Sequence, residues 1–347
     1  MSRPLSFAVF LSIGVAVSAQ TPAPASGPAP AGVVVGSGNF FSPIVANLER
    51  AVSFYRDGLG LQVTGEPSTA ENNVALRNMF GLPDAQLRWS IARPATLRSG
   101  VEIVEISKAN GHPLARSVAD TGAVTLIATV GDIAATLARV KTVGGAVVSA
   151  SGAPLTIPFN GGKARAVTIR DRDNHFIQLV QPDTLPASAA STPGVIDVRV
   201  RLTVDSVDRT LKLYRDGLGL QQQSITAFAR DRTMMDLLGV PQGEYRFATV
   251  QVPGSGLIVE MIEFRGIDRQ SVRANLQDPG STRMQLQVRD IDAAIRALVE
   301  AGSNIVSTGA APVDMPAGRG GAIRAAILRD PNNLFLVLIQ APPAPPQ

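Results

Sequence analysis

No cysteine occurs anywhere in the 347 residues, and there are only two histidines, His112 and His175. The first absence excludes a disulfide framework, a thiolate metal centre, an iron–sulfur cluster and a cysteine nucleophile. The second leaves almost no imidazole with which to build a metal site. Aromatic residues make up 5% of the chain, with a single tryptophan, too few for the stacking platforms that hold single-stranded nucleic acid. Lysine is scarce too: Lys108, Lys141, Lys163 and Lys212 are the whole set, and the other 28 of the 32 basic side chains are arginine. They are scattered among 28 acidic residues, so a net charge of +4 forms no phosphate-tracking stripe, and nucleic acid is not an expected partner. Past the N-terminal segment, no apolar run approaches the roughly 20 residues that span a bilayer.

What is present is a chain that can fold. Hydrophobic residues reach 45% and charged residues 17%, a globular composition, and the length suggests two domains. Residues 1–19 carry Arg3, an apolar stretch from Leu5 to Val17 and a Val-Ser-Ala site, and so read as a cleaved secretory signal. The expected location is therefore secreted or periplasmic. Residues 20–35 form a Pro/Ala-rich tether and 342–347 a Pro-rich tail.

Between these ends the sequence repeats. Tyr-Arg-Asp-Gly-Leu-Gly-Leu-Gln occurs at Tyr55–Gln62 and at Tyr214–Gln221, an offset of 159. Gly81-Leu82-Pro83 faces Gly239-Val240-Pro241, Val101–Glu105 faces Val259–Glu263, Asp132-Ile133 faces Asp290-Ile291, and Ile169-Arg170-Asp171 faces Leu328-Arg329-Asp330, all at 158 or 159. A register held across that span means a duplicated domain, 36–183 and 195–341, joined by a linker at 184–194. Each copy reads as two strand–helix–strand units. Strands at 40–45, 86–92 and 101–106 flank a helix that starts near Asn47 (198–204, 245–250, 257–264 and Ser206 in the second copy). Then come 124–130, a helix over 132–143, and closing strands at 166–169 and 175–180 (284–288, 290–301, 325–328, 334–339). The shared octapeptide itself reads as a fold signature, with its Tyr buried, its glycines turning the chain and its Arg-Asp pair on the surface.

Asn47–Val63 and Ser206–Gln221, with the closing segments Ile169–Pro182 and Leu328–Gln340, resemble the opening and closing motifs of the vicinal oxygen chelate superfamily. That superfamily holds glyoxalase I, the bleomycin- and fosfomycin-resistance proteins and extradiol dioxygenases. The resemblance covers nearly all of 36–340, in both copies. It implies an α+β fold of tandem domains, each from two βαβββ units, whose sheets curl into ligand-holding cups. It also implies four ligand positions per cup for a divalent metal. Phe40, Glu105, Thr125 and Gln178 fall there in the first copy, and Arg199, Glu263, Arg283 and Val337 in the second. One carboxylate with an amide and a hydroxyl is a poor divalent site, and arginines repel a cation. No cofactor is therefore expected; Glu105 with Gln178 is the alternative metal pair.

The expected activity is binding of a small organic molecule in a cup without an essential metal, as sequestration or as a degenerate lyase or isomerase. A metal-dependent glyoxalase-like lyase or ring-cleaving dioxygenase is the rival, and a non-catalytic structural protein with filled cups the third reading. Candidate ligand-binding residues are Glu105, Gln178, Arg199, Glu263 and Arg283. Arg199 and Arg283 near Glu263 would favour an anion. Glu105 and His112 are the candidate acid–base groups. His175 reads as a structural residue of its turn. Glu102 and Glu260 lie three positions before Glu105 and Glu263, so the two members of each pair face opposite sides of the sheet.

Overall fold

The computed structural model describes residues 32–71, 73–159, 161–185, 194–316 and 321–342. The expected leader, most of the tether, most of the 184–194 linker and most of the 342–347 tail lie outside the described residues. Among the described residues no helix is long and apolar enough to cross a membrane.

Four units follow one another. The first contains strand Ser42–Val45, helix Leu48–Ser53 and strands Gln86–Arg93 and Val101–Ser107. The second contains strand Val124–Val130, helix Ile133–Thr142 and strands Gly162–Arg170 and Phe176–Pro182. The second copy repeats them as Val195–Thr203, Val207–Lys212, Glu244–Gln251 and Ile258–Arg265, then Thr282–Val288, Ile291–Glu300, Ala322–Arg329 and Phe335–Gln340. Strand and helix positions match the sequence expectation to within a few residues.

The pairing of the units decides where the sites lie. Each sheet takes one unit from each copy. Units one and four form an eleven-stranded sheet, and units two and three a nine-stranded one. In the first, Thr282 and Arg283 pair antiparallel with Pro43 and Ser42, a short junction at which Pro43 has no N–H to offer. In the second, Val124–Val130 runs antiparallel to Val195–Thr203 along a much longer register. Each cup is thus a curled sheet built across the copies within one chain.

The repeated octapeptide forms a π-helical turn in both copies, Phe54–Gly58 and Leu213–Gly217. Tyr55 and Tyr214 are fully buried, while Arg56–Asp57 and Arg215–Asp216 pair on the surface at 2.7 and 2.6 Å. Gly60 has φ +74°, and a Cβ there would lie 2.8 Å from the Cα of Gly194, so both the backbone conformation and the close approach demand glycine.

The closing turns of each copy staple the two sheets together. Asp173 accepts from Ala46 N at 3.3 Å and from Arg50 Nη2 at 3.1 Å; its counterpart Asn332 accepts from Asp205 N at 3.0 Å. His175 is buried in the first turn, with Nδ1 3.0 Å from Asp171 Oδ2 and Nε2 3.2 Å from the Ser281 carbonyl. It is a structural residue, tied at both ring nitrogens.

Asp330, the counterpart of Asp171, is buried beneath Tyr214, whose hydroxyl donates to Oδ2 at 3.3 Å. Burial pushes its carboxyl up to about 6, against the hydrogen bonds from Leu334 N, Asn332 and Tyr214 that pull the other way. A carboxyl raised in the folded state favours folding when protonated. Its contribution is full below the unfolded value of 3.8 and is lost as pH rises through about 6. Wild type should therefore gain about 2 kcal/mol between pH ~7 and ~4 relative to Asp330→Asn. Paired urea titrations at several pH values check this; parallel stability curves for the two proteins would show that Asp330 is not the source.

Candidate functional site

The first cup lies in the eleven-stranded sheet. Strand Val101–Ser107 alternates, and the two glutamates three residues apart go to opposite faces. Glu102 is the one that faces the cup. Its Oε2 accepts from Arg283 Nη2 at 3.0 Å and from Gln285 Nε2 at 2.9 Å, and Gln285 Oε1 accepts from Asn39 N at 3.0 Å. Arg283 is 1% exposed and stacks 4.5 Å from the Phe80 ring centroid. Burial holds its guanidinium below the usual arginine range, with Glu102 opposing the shift. Its Nε is buried and has no hydrogen-bond partner among the described residues.

Around this polar floor the walls are apolar: Leu76, Met79, Phe80, Leu87, Trp89, Val104, Val337 and Ile339. About 20 Å³ remains in which the centre of a water molecule can sit, room for roughly one water. The tight fit comes from helix Val74–Met79, which roofs the cup. Asn73 Oδ1 caps the helix by accepting from Leu76 N at 2.9 Å, and Gly81 ends it at φ +68°. The Ser307 hydroxyl, from the other copy, donates to Met79 O at 2.7 Å and accepts from Ile327 N at 2.9 Å. The second cup has the same roof, helix Arg232–Leu238. There Ser149 Oγ donates to Leu237 O at 2.7 Å and accepts from Thr168 N at 2.8 Å.

The second cup lies in the nine-stranded sheet and carries more charge. Arg201 Nε and Nη2 reach Glu260 Oε2 at 3.0 and 2.8 Å, and its Nη1 donates to Gln178 Oε1 at 2.7 Å. Arg199 Nη1 lies 3.7 Å from Glu260 Oε1. Arg199 stacks 5.2 Å from Phe159, and Arg201 5.2 Å from Phe247.

Several sequence-selected residues lie elsewhere. Glu105 accepts from Leu48 N at 2.8 Å and from Arg88 Nη1 at 3.2 Å; Glu263 accepts from Val207 N at 2.8 Å and from Arg246 Nη2 at 2.7 Å. Both cap the start of a helix, where a carboxylate satisfies orphan N–H groups and the helix dipole. Arg199 and Arg283 were expected to share a cup beside Glu263; they sit in different sheets, because the units pair across the copies. The same crossing separates Glu105 from Gln178, so that alternative metal pair is not brought together. His112 is exposed on its loop, held through its backbone N–H to Asp278 Oδ1 at 2.9 Å. Glu102, Gln285, Trp89, Arg201 and Glu260 were not selected. Period-2 alternation from Arg199 is the signal that points to Arg201; the same alternation sets Glu102 opposite Glu105 without saying which of them faces the cup.

A divalent cation needs oxygen or imidazole donors with positions left open. In the first cup Glu102 is already engaged by a guanidinium and Val337 donates nothing, while Phe40 packs into the main core cluster. In the second cup the single carboxylate lies against two arginines. Among the described residues no three His, Cys, Asp or Glu side chains converge. The donor sets do not fit a divalent metal.

The model of the Glyoxalase/Bleomycin resistance protein/Dioxygenase superfamily matches the chain twice, at residues 39–179 and 198–338. Among solved structures, glyoxalase I from Zea mays is similar at 15% identity and a TM-score of 0.55, over 87% of this chain and 92% of that one. A putative dioxygenase from Bacillus subtilis is similar at 11% identity and a TM-score of 0.52, over 90% and 87%. Identities this low speak for the fold alone. No curated protein matches the chain.

Proposed function

Since the chain belongs to the glyoxalase, bleomycin-resistance protein and dioxygenase superfamily, we propose that its first cup binds a small, mostly apolar organic molecule without the help of a divalent metal. The observation that carries this reading is Arg283 Nε, a donor buried without a partner among otherwise apolar walls. Leaving such a group unsatisfied costs about 1–3 kcal/mol, which an acceptor atom on a ligand would recover. The floor is neutral overall, one guanidinium against one carboxylate, so a carbonyl oxygen suits it as well as an anion. The occupant would displace Met79 and Phe80, the roof residues that fill the cup. We further propose that the protein acts after export, on the strength of the leader-like residues 1–19.

A second reading, a packed core with no ligand, draws support from the small free volume. Trp89 separates the two, because it is the single tryptophan and lines this cup. Titration with cyclohexanone and octan-2-one should give a saturable change in Trp89 emission. In Glu102→Gln/Arg283→Met, which removes donor and counter-charge together, affinity should fall about tenfold or more, the equivalent of ~1.4 kcal/mol. No saturable change with either ketone, and no shift in melting temperature, would favour the packed core.

A further inference from the structure

The roof of the first cup is hung differently from that of the second. Residues 70–85, which carry helix Val74–Met79, are bonded mostly to one another. Asn73 caps the helix, and the Arg77 guanidinium donates to the carbonyls of Ala70 at 3.2 Å, Glu71 at 2.7 Å and Pro83 at 2.8 Å. Among the described residues, two hydrogen bonds leave this segment: Ala70 N to Leu87 O at its base, and Ser307 Oγ to Met79 O at its far end. The second roof, residues 229–243, is tied at more points. Ala229 exchanges both backbone bonds with Tyr245, and Arg230 donates to Glu244. Its far end takes the Ser149 hydroxyl on Leu237 O and also Ala150 N, which donates to Asp236 O at 2.8 Å. In the first cup the hydroxyl bond is repeated, but among the described residues the backbone bond from Thr308 to Asn78 is not.

We propose that helix Val74–Met79 is a lid over the first cup, latched from the other copy by the Ser307 hydroxyl, while the second roof stays shut. The enclosed space holds roughly one water, so any larger occupant enters only when the roof lifts. A segment with few bonds to its surroundings opens at a lower free-energy cost than one tied at many points. The ends of the helix suit hinges: Asn73 lies outside helical geometry at φ −111° and ψ 81°, and Gly81 turns the chain at φ +68°. Breaking the latch strands no buried group. The Ser307 hydroxyl keeps Ile327 N as a partner, and Met79 O, carried outward, turns to water. The role of the lid in ligand entry rests on the reading of the first cup given above; its opening does not.

The chain has no cysteine, so a single one placed beneath each roof reports its opening. Val104, which lines the first cup with Met79 and Phe80, and Ile262, which packs with Met235 and Leu238 of the second roof, are counterparts and both buried. The test is the labelling rate of full-length Val104→Cys and Ile262→Cys chains with dithiobis(nitrobenzoate). Val104→Cys is expected to label at least tenfold faster. Adding Ser307→Ala should raise its rate about fivefold, the effect of one hydrogen bond lost, and leave Ile262→Cys unchanged. Gly81→Ala, whose Cβ would fall 2.2 Å from Val306 O, should also raise the Val104→Cys rate by prising up the far end of the roof. Equal rates at the two cysteine positions, or a Val104→Cys rate that neither substitution changes, would overturn the proposal. A Ser307→Ala effect shared by Ile262→Cys would overturn it too, making the hydroxyl a brace of the whole fold. None of these measurements uses a ligand. Fast, latch-dependent labelling in a chain that binds neither ketone would therefore uphold the lid and sink the binding function proposed above.

Discussion

Replacing Arg283 by methionine alone should destabilise the chain by about 3–5 kcal/mol, because Glu102 would keep its buried charge and lose its counter-ion. The Glu102→Gln/Arg283→Met double variant should recover most of that loss, since a buried ion pair replaced as a unit by groups of similar volume is close to neutral. Urea denaturation of the wild type, the two single variants and the double variant measures both quantities, the coupling energy being the difference across the cycle. A single-variant cost below ~1 kcal/mol would mean that water reaches Glu102 and that the cup is more open than its lining suggests. The result therefore bears on ligand access as well as on stability.

The second large effect concerns the first copy in isolation. Residues 36–183 contain two complete units, yet neither sheet can form from them alone: strand Ser42–Val45 pairs with Thr282–Val288, and Val124–Val130 with Val195–Thr203. Expressed by itself, the fragment should populate no folded monomer. Its strands Ser42–Val45 and Val124–Val130 would be left as unpaired edges, which pair with any available partner. Analytical ultracentrifugation with circular dichroism should find a dimer in which two copies supply each other's missing units, or an unfolded or aggregated chain. A compact, cooperatively melting monomer would show that the two units of one copy can close on each other.

The elements were legible wherever they are long and strictly periodic. Helices Ile133–Thr142 and Ile291–Glu300, each N-capped by an aspartate, announce themselves by apolar spacing and cap residue together. The two roof helices do not. Val74–Met79 and Arg232–Leu238 are too short for a period to stand out, and their signals, Asn73 or Asp231 in front and Gly81 or Gly239 behind, are of a kind found in any turn. Glu102 was legible in kind but not in direction. Alternation says that Glu102 and Glu105 diverge, not which of them turns toward the ligand side, and that depends on where helix Leu48–Ser53 needs its cap. Pairing across the copies was not legible at all. Both arrangements bury the same strands with the same neighbours in the local pattern, and the choice between them rests on long-range contacts that leave no trace in periodicity. Strand position alone therefore places Arg199 and Arg283 in one cup.

The crossing of units has a consequence for how the two cups came to differ. Were the same assembly made from two identical chains around a twofold axis, every substitution would enter both cups at once, and an arginine gained in one would be gained in the other. Fusion into a single chain releases that coupling. Position 283 holds arginine in the first cup while its counterpart in the second is Thr125. Position 178 holds glutamine in the second while its counterpart in the first is Val337. Each sheet takes one unit from each copy, so a change at one lining position alters one cup and spares the other. The duplicated chain is thereby free to keep two different interiors in two sheets of the same strand order.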